Sequence, residues 1–173
     1  MEHQASKLTH NDIIIKKGNS TNPDFSALVM LLDRDLLERY GEQQAFFDQF
    51  NKVDTIKNKV VAYLNDRAVG CGAIKTFSEG VVEIKRMFVV KEHRGKGIAK
   101  KILAELENWA IELNSQKCIL ETGKSQPEAI TFIRKLVIPL QKTTSLILVL
   151  RIVFVWKRYY LLTNLKTAVK VRK

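Results

Sequence analysis

The amino-acid sequence predicts an α/β fold, of the α+β kind, in which helices flank a central sheet. Short runs rich in β-branched residues alternate with longer segments of helical periodicity. Two of the short runs, residues 59–64 and 69–77, have the spacing of an antiparallel pair. A third run, residues 81–90, passes through a turn with two glycines into an amphipathic segment. The chain has 173 residues and is 46% hydrophobic, which is enough for one domain with an ordinary core.

The first predicted elements are a strand at residues 13–15 and a helix at residues 25–40. Asn22 or Asp24 would cap this helix, because short polar side chains accept hydrogen bonds from the free N–H groups at a helix start. Gly41 is the expected C′ residue. One face of the helix carries the apolar residues Leu28, Leu32 and Leu36.

The middle of the chain predicts a hairpin framed by turns. A short helix or loop comes before it and holds Phe46, Phe47 and Phe50. Residues 65–68, with the sequence Asn-Asp-Arg-Ala, join the two hairpin strands. Residues 78–80 then turn the chain into the strand at 81–90. These turns set the ends of the predicted strands.

The segment after the glycine turn, residues 98–113, is the clearest predicted helix. Its apolar face consists of Ile98, Ile102, Leu106, Trp109 and Leu113. Such a helix is roughly 25 Å long, enough to cross a sheet. A short buried strand at residues 118–121 follows, and Pro127 opens a last helix at its first position. Ser125 or Gln126 would cap that helix.

The formal charge of +11 belongs to the end of the chain. Residues 1–128 contain 19 Lys and Arg against 18 Asp and Glu, whereas residues 129–173 contain 10 Lys and Arg and no acid. The body is therefore nearly neutral, and we expect no nucleic-acid partner. A nucleic-acid binder that uses the basic tail is the alternative.

The cysteines and the apolar segments bear on where the protein works. Cys71 and Cys118 lie in strand-like apolar runs and are expected to be buried free thiols. The N-terminal residues lack the apolar core of a signal peptide. The longest apolar stretch, residues 146–156, is about half a bilayer span and is interrupted by Arg151. We therefore expect a cytoplasmic protein with no membrane partner.

The turn at residues 94–99, Arg-Gly-Lys-Gly-Ile-Ala, has the features of an anion-binding site. Glycine has no Cβ, so Gly95 and Gly97 can take positive φ and let the backbone approach an anion. The first N–H groups of the following helix lack intrahelical partners and lie at the positive end of the helix dipole. Arg94 and Lys96 would add charge. The pattern therefore predicts a pyrophosphate site.

Two other phosphate-binding motifs are excluded by spacing. A dinucleotide fingerprint needs G-x-G-x-x-G, but the next glycine after Gly97 is Gly123. Residues 123–125, Gly-Lys-Ser, look like the end of a P-loop, but Cys118 stands where its first glycine would fall. The turn therefore fits neither nucleotide-binding class.

The turn resembles the signature Arg/Gln-x-x-Gly-x-Gly/Ala of the GNAT family of N-acetyltransferases, in which it binds the pyrophosphate of acetyl-coenzyme A. The preceding strand EIKRMFVV, the following helix and the later string LETGKSQPEAI stand in family order, and the resemblance covers about residues 10–132. It implies a GNAT-like mixed, mostly antiparallel sheet flanked by helices. It also implies direct attack by an amine of a small molecule or peptide on the thioester. Acetyl-CoA would be the co-substrate, and no metal would be needed. A homodimer is a possible assembly.

The resemblance also assigns roles to individual residues. Backbone groups of Met87, Phe88 and Val89 would bind the acetyl carbonyl and the pantetheine arm, while their side chains are expected to be core. The other cofactor-binding residues would be Arg94, Gly95, Lys96, Gly97, Ile98, Ala99 and Gln126. Glu83 is the candidate general base, acting through water, because an ammonium must lose a proton before it attacks. The alternative is that Glu83 merely faces solvent.

The segment from residue 33 to residue 54 is rich in acids, and the resemblance implies that it forms the acceptor side of the cleft. The acids are Asp33, Asp35, Glu38, Glu42, Asp48 and Asp54. An acidic rim would attract an amine, but a solvated helix face explains the composition equally well. No acceptor follows from it.

The end of the chain departs from the family pattern. A tyrosine on the last helix of family members often protonates the leaving thiolate, and Ile133 stands at that position. A shifted reading frame from about residue 132 would account for the change, because allowed codons moved by one nucleotide restore a Tyr and a Gly-Tyr. We therefore divide the chain into a GNAT-like acetyltransferase domain, residues 1–132, and an atypical basic and apolar tail, residues 133–173. In that tail the last strands would be altered or missing.

The leading functional prediction is an acetyl-CoA-dependent N-acetyltransferase. The alternative is a relative that binds the cofactor but is catalytically impaired, with a frameshifted C-terminus. Ile133 motivates that alternative, because isoleucine has no proton to give.

Overall fold

The computed structural model describes residues 12–19, 21–41, 56–123, 125–140, 153–154 and 157–158. Within these ranges the elements follow in the order β1 (Ile13–Gly18), α1 (Pro23–Tyr40), β2 (Asn58–Leu64), β3 (Arg67–Ser78), β4 (Val81–Val89), α2 (Ile98–Glu112), β5 (Lys117–Leu120) and α3 (Pro127–Leu140). Two short strands, β6 (Val153–Phe154) and β7 (Lys157–Arg158), pair with each other.

The main sheet has the strand order β1-β2-β3-β4-β5. Strands β1 to β4 are antiparallel to their neighbours, and β5 joins β4 in parallel. The chain reaches β5 through α2, since a parallel pair needs a crossover connection. The predicted mixed, mostly antiparallel sheet flanked by helices is confirmed.

A helix covers each face of this sheet. The α2-side core includes the helix residues Ile98, Ile102, Leu103, Leu106 and Ala110. The α1-side core includes the helix residues Phe25, Leu28, Val29 and Leu32, with Leu36 at its border. The predicted face of α2 is wrong at its end, because Leu113 is 46% exposed. The helix ends at Glu112, so Leu113 belongs to the cap and no longer follows the helical period.

Local signals fix the ends of α1. The Oδ1 atom of Asn22 accepts hydrogen bonds from the backbone N–H groups of Asp24 (2.9 Å) and Phe25 (3.1 Å). Asn22, and not Asp24, is therefore the N-cap. Gly41 follows the helix with a φ of +56°, as expected of a residue that ends it.

The hairpin between β2 and β3 is tighter than predicted. Its loop consists of Asn65 and Asp66, which have φ angles of +51° and +59°. Arg67 and Ala68 already pair with β2, so they belong to the strand and not to the turn. Two left-handed residues match the geometry of a two-residue turn whose twist fits the flanking strands.

The remaining predictions concern thiols, membrane segments and the tail. Cys71 and Cys118 are free and buried, as predicted, and burial raises the pKa of each thiol to about 12. In the ranges given above, no helix is long and apolar enough to cross a membrane. The prediction for Phe46, Phe47 and Phe50 lies outside the described residues. So does most of the predicted tail, although α3 continues past residue 133.

Candidate cofactor and catalytic site

Strand β4 is paired with β5 over only part of its length. β5 pairs with residues 81–84 of β4, whereas β3 pairs with β4 as far as Val89. Among the described residues, the edge of β4 that faces β5 therefore has no strand partner after Ile84. We call this unpaired stretch of the β4 edge the β4–β5 opening. It includes the backbone of residues 87–89, which the resemblance implies would bind the acyl group.

A β-bulge lies where β4 leaves β5. The β3–β4 register skips one residue here, so that Gly72 of β3 stands opposite both Arg86 and Met87. A bulge shifts the alternation of side chains along a strand by one residue. As a result, Met87 and Val89 pack in the α2-side core and Phe88 packs in the α1-side core. The prediction that these side chains are core is confirmed.

The turn before α2 has the predicted backbone conformation. A 3-10 turn at Lys91–His93 is followed by Gly95 and Gly97, with φ angles of +79° and +78°. Gly97 is the N-cap of α2, and no side chain in the described part of the chain caps this helix. The first N–H groups of α2 lie at the positive end of its dipole and can donate to an anion. The turn therefore has the geometry of a phosphate site.

Arg94 connects this turn to its neighbours. Its Nε donates to the carbonyl of Val89 (3.0 Å), and its Nη1 donates to Oε1 of Glu128 (3.1 Å). Its Nη2 lies 3.8 Å from Oδ2 of Asp35. Carboxylates from two helices thus hold the guanidinium beside the opening, and a phosphate that binds Arg94 must share or replace these contacts. Lys96, the other predicted cation, is exposed.

A second arginine ties α1 to the start of α3. Arg39 donates to both carboxylate oxygens of Glu128, to the carbonyl of Ser125 (3.0 Å) and, through Nε, to Asp35 (3.0 Å). Burial would raise the pKa of Glu128, but the hydrogen bonds from Arg39 and the charge of Arg94 lower it below its usual value. Residues 39 and 128 are 89 positions apart. No local pattern links the members of this cluster, so the sequence does not predict it.

Gln126 and Tyr40 shape the loop between β5 and α3. The Oε1 atom of Gln126 accepts hydrogen bonds from Oγ1 of Thr122 (2.7 Å) and from the N–H of Gly123 (3.1 Å). The hydroxyl of Tyr40 accepts a hydrogen bond from the N–H of Ser125 (3.3 Å) and lies so close to Gly123 that a Cβ there would collide with it. The pKa of Tyr40 is raised, and burial is the largest cause. Gln126, a predicted cofactor ligand, thus uses its side-chain oxygen to hold the loop.

Glu83 is buried in β4. Its neighbours Val82 and Ile84 pack in the α2-side core, so Glu83 lies on the side of the sheet that α1 covers. It is 8% exposed, and its carboxylate is 2.7 Å from Nζ of Lys85. The alternative that Glu83 merely faces solvent is therefore wrong. It pairs in register with Ile119 of β5, one residue before the strands part.

Two acids of the predicted acidic segment are engaged in ion pairs. Asp33 pairs with Arg86 of β4, and Asp35 pairs with Arg39. These two carboxylates are therefore neither an unoccupied rim nor a merely solvated face. Glu42, Asp48 and Asp54 lie outside the described residues.

Ile133 is 1% exposed and packs in the α2-side core. Helix α3 therefore turns this position toward the interior. The side chain that stands where the resemblance places a tyrosine has no group that could protonate a thiolate.

Comparison with known proteins identifies the family. A family model described as the acetyltransferase (GNAT) family matches residues 25–136. The chain belongs to this family. The match includes the opened strand β4, the glycine turn and the start of α3. The class of enzyme predicted from the sequence, an N-acetyltransferase, is confirmed.

Individual relatives agree with this assignment. The chain is 39% identical over 110 residues to a protein named IAA acetyltransferase from Azospirillum brasilense, covering 62% of this chain and 72% of the relative. A provisionally named acyl-CoA N-acyltransferase from Klebsiella pneumoniae has a similar structure, with a TM-score of 0.56 and 30% identity over 71% of this chain and 80% of its own. The IAA acetyltransferase structure from Bacillus cereus matches with a TM-score of 0.55 at 19% identity, over 72% and 75% of the two chains. That last likeness shows the fold alone.

Proposed function

We propose that this enzyme transfers an acetyl group from acetyl-CoA to an amine of a small molecule or a peptide. The observation that carries the proposal is the junction of β4 and α2. There a strand edge left unpaired by β5 runs into a helix N-terminus that no described side chain caps. An acyl thioester with a pyrophosphate needs both features, since its carbonyl requires hydrogen-bond donors and its phosphates require an anion site.

The glycine turn would hold the cofactor. Backbone N–H groups from Gly95 to Ala99 would donate to the pyrophosphate, and Arg94 and Lys96 would balance its charge. The backbone of residues 87–89 would hold the acyl carbonyl at the opening between β4 and β5. Bound acetyl-CoA supplies the acetyl group as a reactive thioester.

Direct attack balances without a covalent enzyme intermediate. The amine nitrogen bonds to the acetyl carbon, the C–S bond breaks, and the sulfur leaves with the electron pair as a thiolate. Glu83 would accept, through water, the proton that the ammonium loses before attack. The second proton, which the nitrogen loses as the amide forms, would pass to solvent or to the departed thiolate. An alkyl thiol is acidic enough for its thiolate to leave without prior protonation. The reaction therefore does not require the proton donor that Ile133 lacks.

Calorimetric titration with coenzyme A tests the cofactor half of the proposal. We expect saturable binding that Arg94→Ala weakens and that Arg67→Ala, a change at an exposed hairpin arginine, leaves unchanged. Failure to bind at millimolar coenzyme A would contradict the proposal.

A panel of amines tests the chemical half, with release of free thiol from acetyl-CoA as the readout. We expect release that depends on the amine and a product that carries the acetyl group. Binding of acetyl-CoA without release on any amine would contradict transfer and would favour the impaired relative that Ile133 motivates.

A further inference from the structure

Arg86 has an unusual backbone conformation for its place in the fold. It lies inside β4 and has a φ of +56°, in the left-handed region. Such a conformation is strained for a residue with a Cβ. Glycine is the residue that usually occupies the left-handed position of a bulge. An arginine there must be held by contacts that glycine could not make.

Those contacts come from the elements on either side. The Arg86 guanidinium forms an ion pair with Asp33 of α1, and the Arg86 side chain is only 7% exposed. On the β3 side, the thiol of Cys71 donates to the carbonyl oxygen of Arg86 (3.3 Å). The side chain and the backbone of the bulge residue are thus fixed by two different elements.

The position of this bulge decides the shape of the opening. Pairing with β5 ends at Ile84, Arg86 follows two residues later, and residues 87–89 come directly after it. The bulge also sets which way Met87 and Phe88 point, since it reverses the alternation between the two cores. A change in the bulge would therefore reorient the backbone groups along the opening.

We propose that Arg86 and Asp33 form a positioning pair that holds the β4 bulge and so aims the backbone of residues 87–89 at the acyl group. This inference rests on the proposed acetyl transfer. The pair also joins α1 to the strand that would hold the thioester. It acts through the backbone and touches neither substrate.

Two substitutions separate the ion pair from the backbone conformation. Arg86→Gly introduces a residue that adopts a φ of +56° without strain, and it removes the guanidinium. Asp33→Asn keeps the shape of the partner and removes its charge. Glu112→Gln is the matched control, because Glu112 of α2 pairs with Lys17 of β1 away from the bulge.

We expect Arg86→Gly and Asp33→Asn to lower kcat about 10- to 100-fold, since a small misplacement of a reacting group has that effect. The affinity for coenzyme A without an acetyl group should fall much less than kcat, because the glycine turn that would hold the pyrophosphate is intact and only the pantetheine contacts at residues 87–89 are disturbed. The double variant should lose no more than the worse single variant, as expected for two residues that act as a unit. Glu112→Gln should leave kcat unchanged.

A readout that needs no turnover keeps this inference separate from the proposed function. In the unliganded protein, amide hydrogen exchange at residues 87–90 should be at least about tenfold faster in Asp33→Asn than in Glu112→Gln. Equal exchange, or a wild-type kcat in both single variants, would overturn the positioning role. So would a parallel loss of coenzyme A binding and kcat, which would indicate a general loss of structure. A wild-type protein that never transfers acetyl would instead overturn the proposed function.

Discussion

The two sides of the β4–β5 opening are built in different ways. On the turn side, the conformation depends on backbone angles within a short stretch, with Gly95 and Gly97 both near φ +80°. On the helix side, Arg39 of α1 reaches Glu128 of α3 across 89 positions of sequence, and Asp33 reaches Arg86 across 53. The proposed recognition of the pyrophosphate by backbone groups therefore depends on residues close together in the sequence. The proposed positioning of the site by ion pairs depends on tertiary packing. We therefore expect that different substitutions can alter cofactor binding and catalysis separately.

The largest effect is expected at Glu83, on catalysis and not on binding. Glu83→Gln keeps the shape of the buried side chain and removes the proposed base, so kcat should fall about 100-fold or more. The affinity for coenzyme A should not change. Initial rates at saturating acetyl-CoA measure the loss, and calorimetry measures the affinity.

Glu79→Gln is the matched control for Glu83→Gln. Glu79 is an exposed carboxylate in the turn just before β4, and its removal should leave kcat unchanged. A Glu83→Gln enzyme with the wild-type rate and pH profile would exclude Glu83 as the base.

A smaller effect is expected on the turn side, at Gly97. The φ of +78° is strained for alanine, so the turn of Gly97→Ala should relax away from the conformation that would bind the pyrophosphate. Recovering that conformation on binding should cost about 1–2 kcal/mol, a roughly 5- to 30-fold weaker affinity for coenzyme A. Calorimetric titration measures this loss.

Gly41→Ala provides the comparison for Gly97→Ala. Gly41 has a φ of +56° and, like Gly97, has open space where a Cβ would stand. The Gly41→Ala substitution should lower the free energy of unfolding, measured in denaturant, without changing the affinity for coenzyme A. If both variants weakened binding equally, the turn would have no special role.

The smallest effect is expected on the helix side, in the pH dependence of stability. The pKa of Glu128 is lower in the folded protein than its ordinary value of 4.5. The Arg39–Glu128 contact therefore adds stability above that value, and the contribution is lost as the pH falls through the folded pKa. Urea unfolding should show Glu128→Gln to be less stable than wild type at neutral pH, with a difference that disappears in acid. A difference that is constant with pH would contradict this cause.

The sequence predicts what local chemistry determines. A polar cap at residue 22 or 24, the left-handed glycines of the turn and the order of strands and helices all follow from short patterns. The structure agrees with them and makes Asn22 the cap. The errors lie at boundaries: Leu113 falls outside α2, and the β2–β3 loop is two residues shorter than its composition suggests. Both arise because the exact residue at which an element ends depends on pairing and capping that a periodic pattern does not contain.

The candidate site was only partly predictable for a different reason. The proposed cofactor residues from Arg94 to Ala99 follow from a contiguous motif, but the ion pairs of Asp33, Asp35 and Glu128 join distant segments. Glu83 is buried although its neighbours Val82 and Ile84 face the other core, and strand alternation alone does not reveal this burial. The bulge at Arg86 has no sequence signal, since glycine is the residue expected there.

The reading-frame hypothesis for the tail stays a prediction. It explains why Ile133 stands in place of a tyrosine and why no acid follows Glu128. The sequence of the encoding DNA tests it. If no single-base change restores the family's closing residues, the hypothesis is wrong.

The central claim is that one ligand spans the glycine turn and the opened edge of β4. Titration of the isotope-labelled protein with acetyl-CoA, followed by amide chemical shifts, tests this most directly. We expect saturating shifts at Gly95, Gly97 and Ile98, together with shifts at residues 87–89 that coenzyme A lacking the acetyl group reproduces only in part. Shifts confined to other parts of the chain, with both segments unchanged at saturation, would contradict the claim.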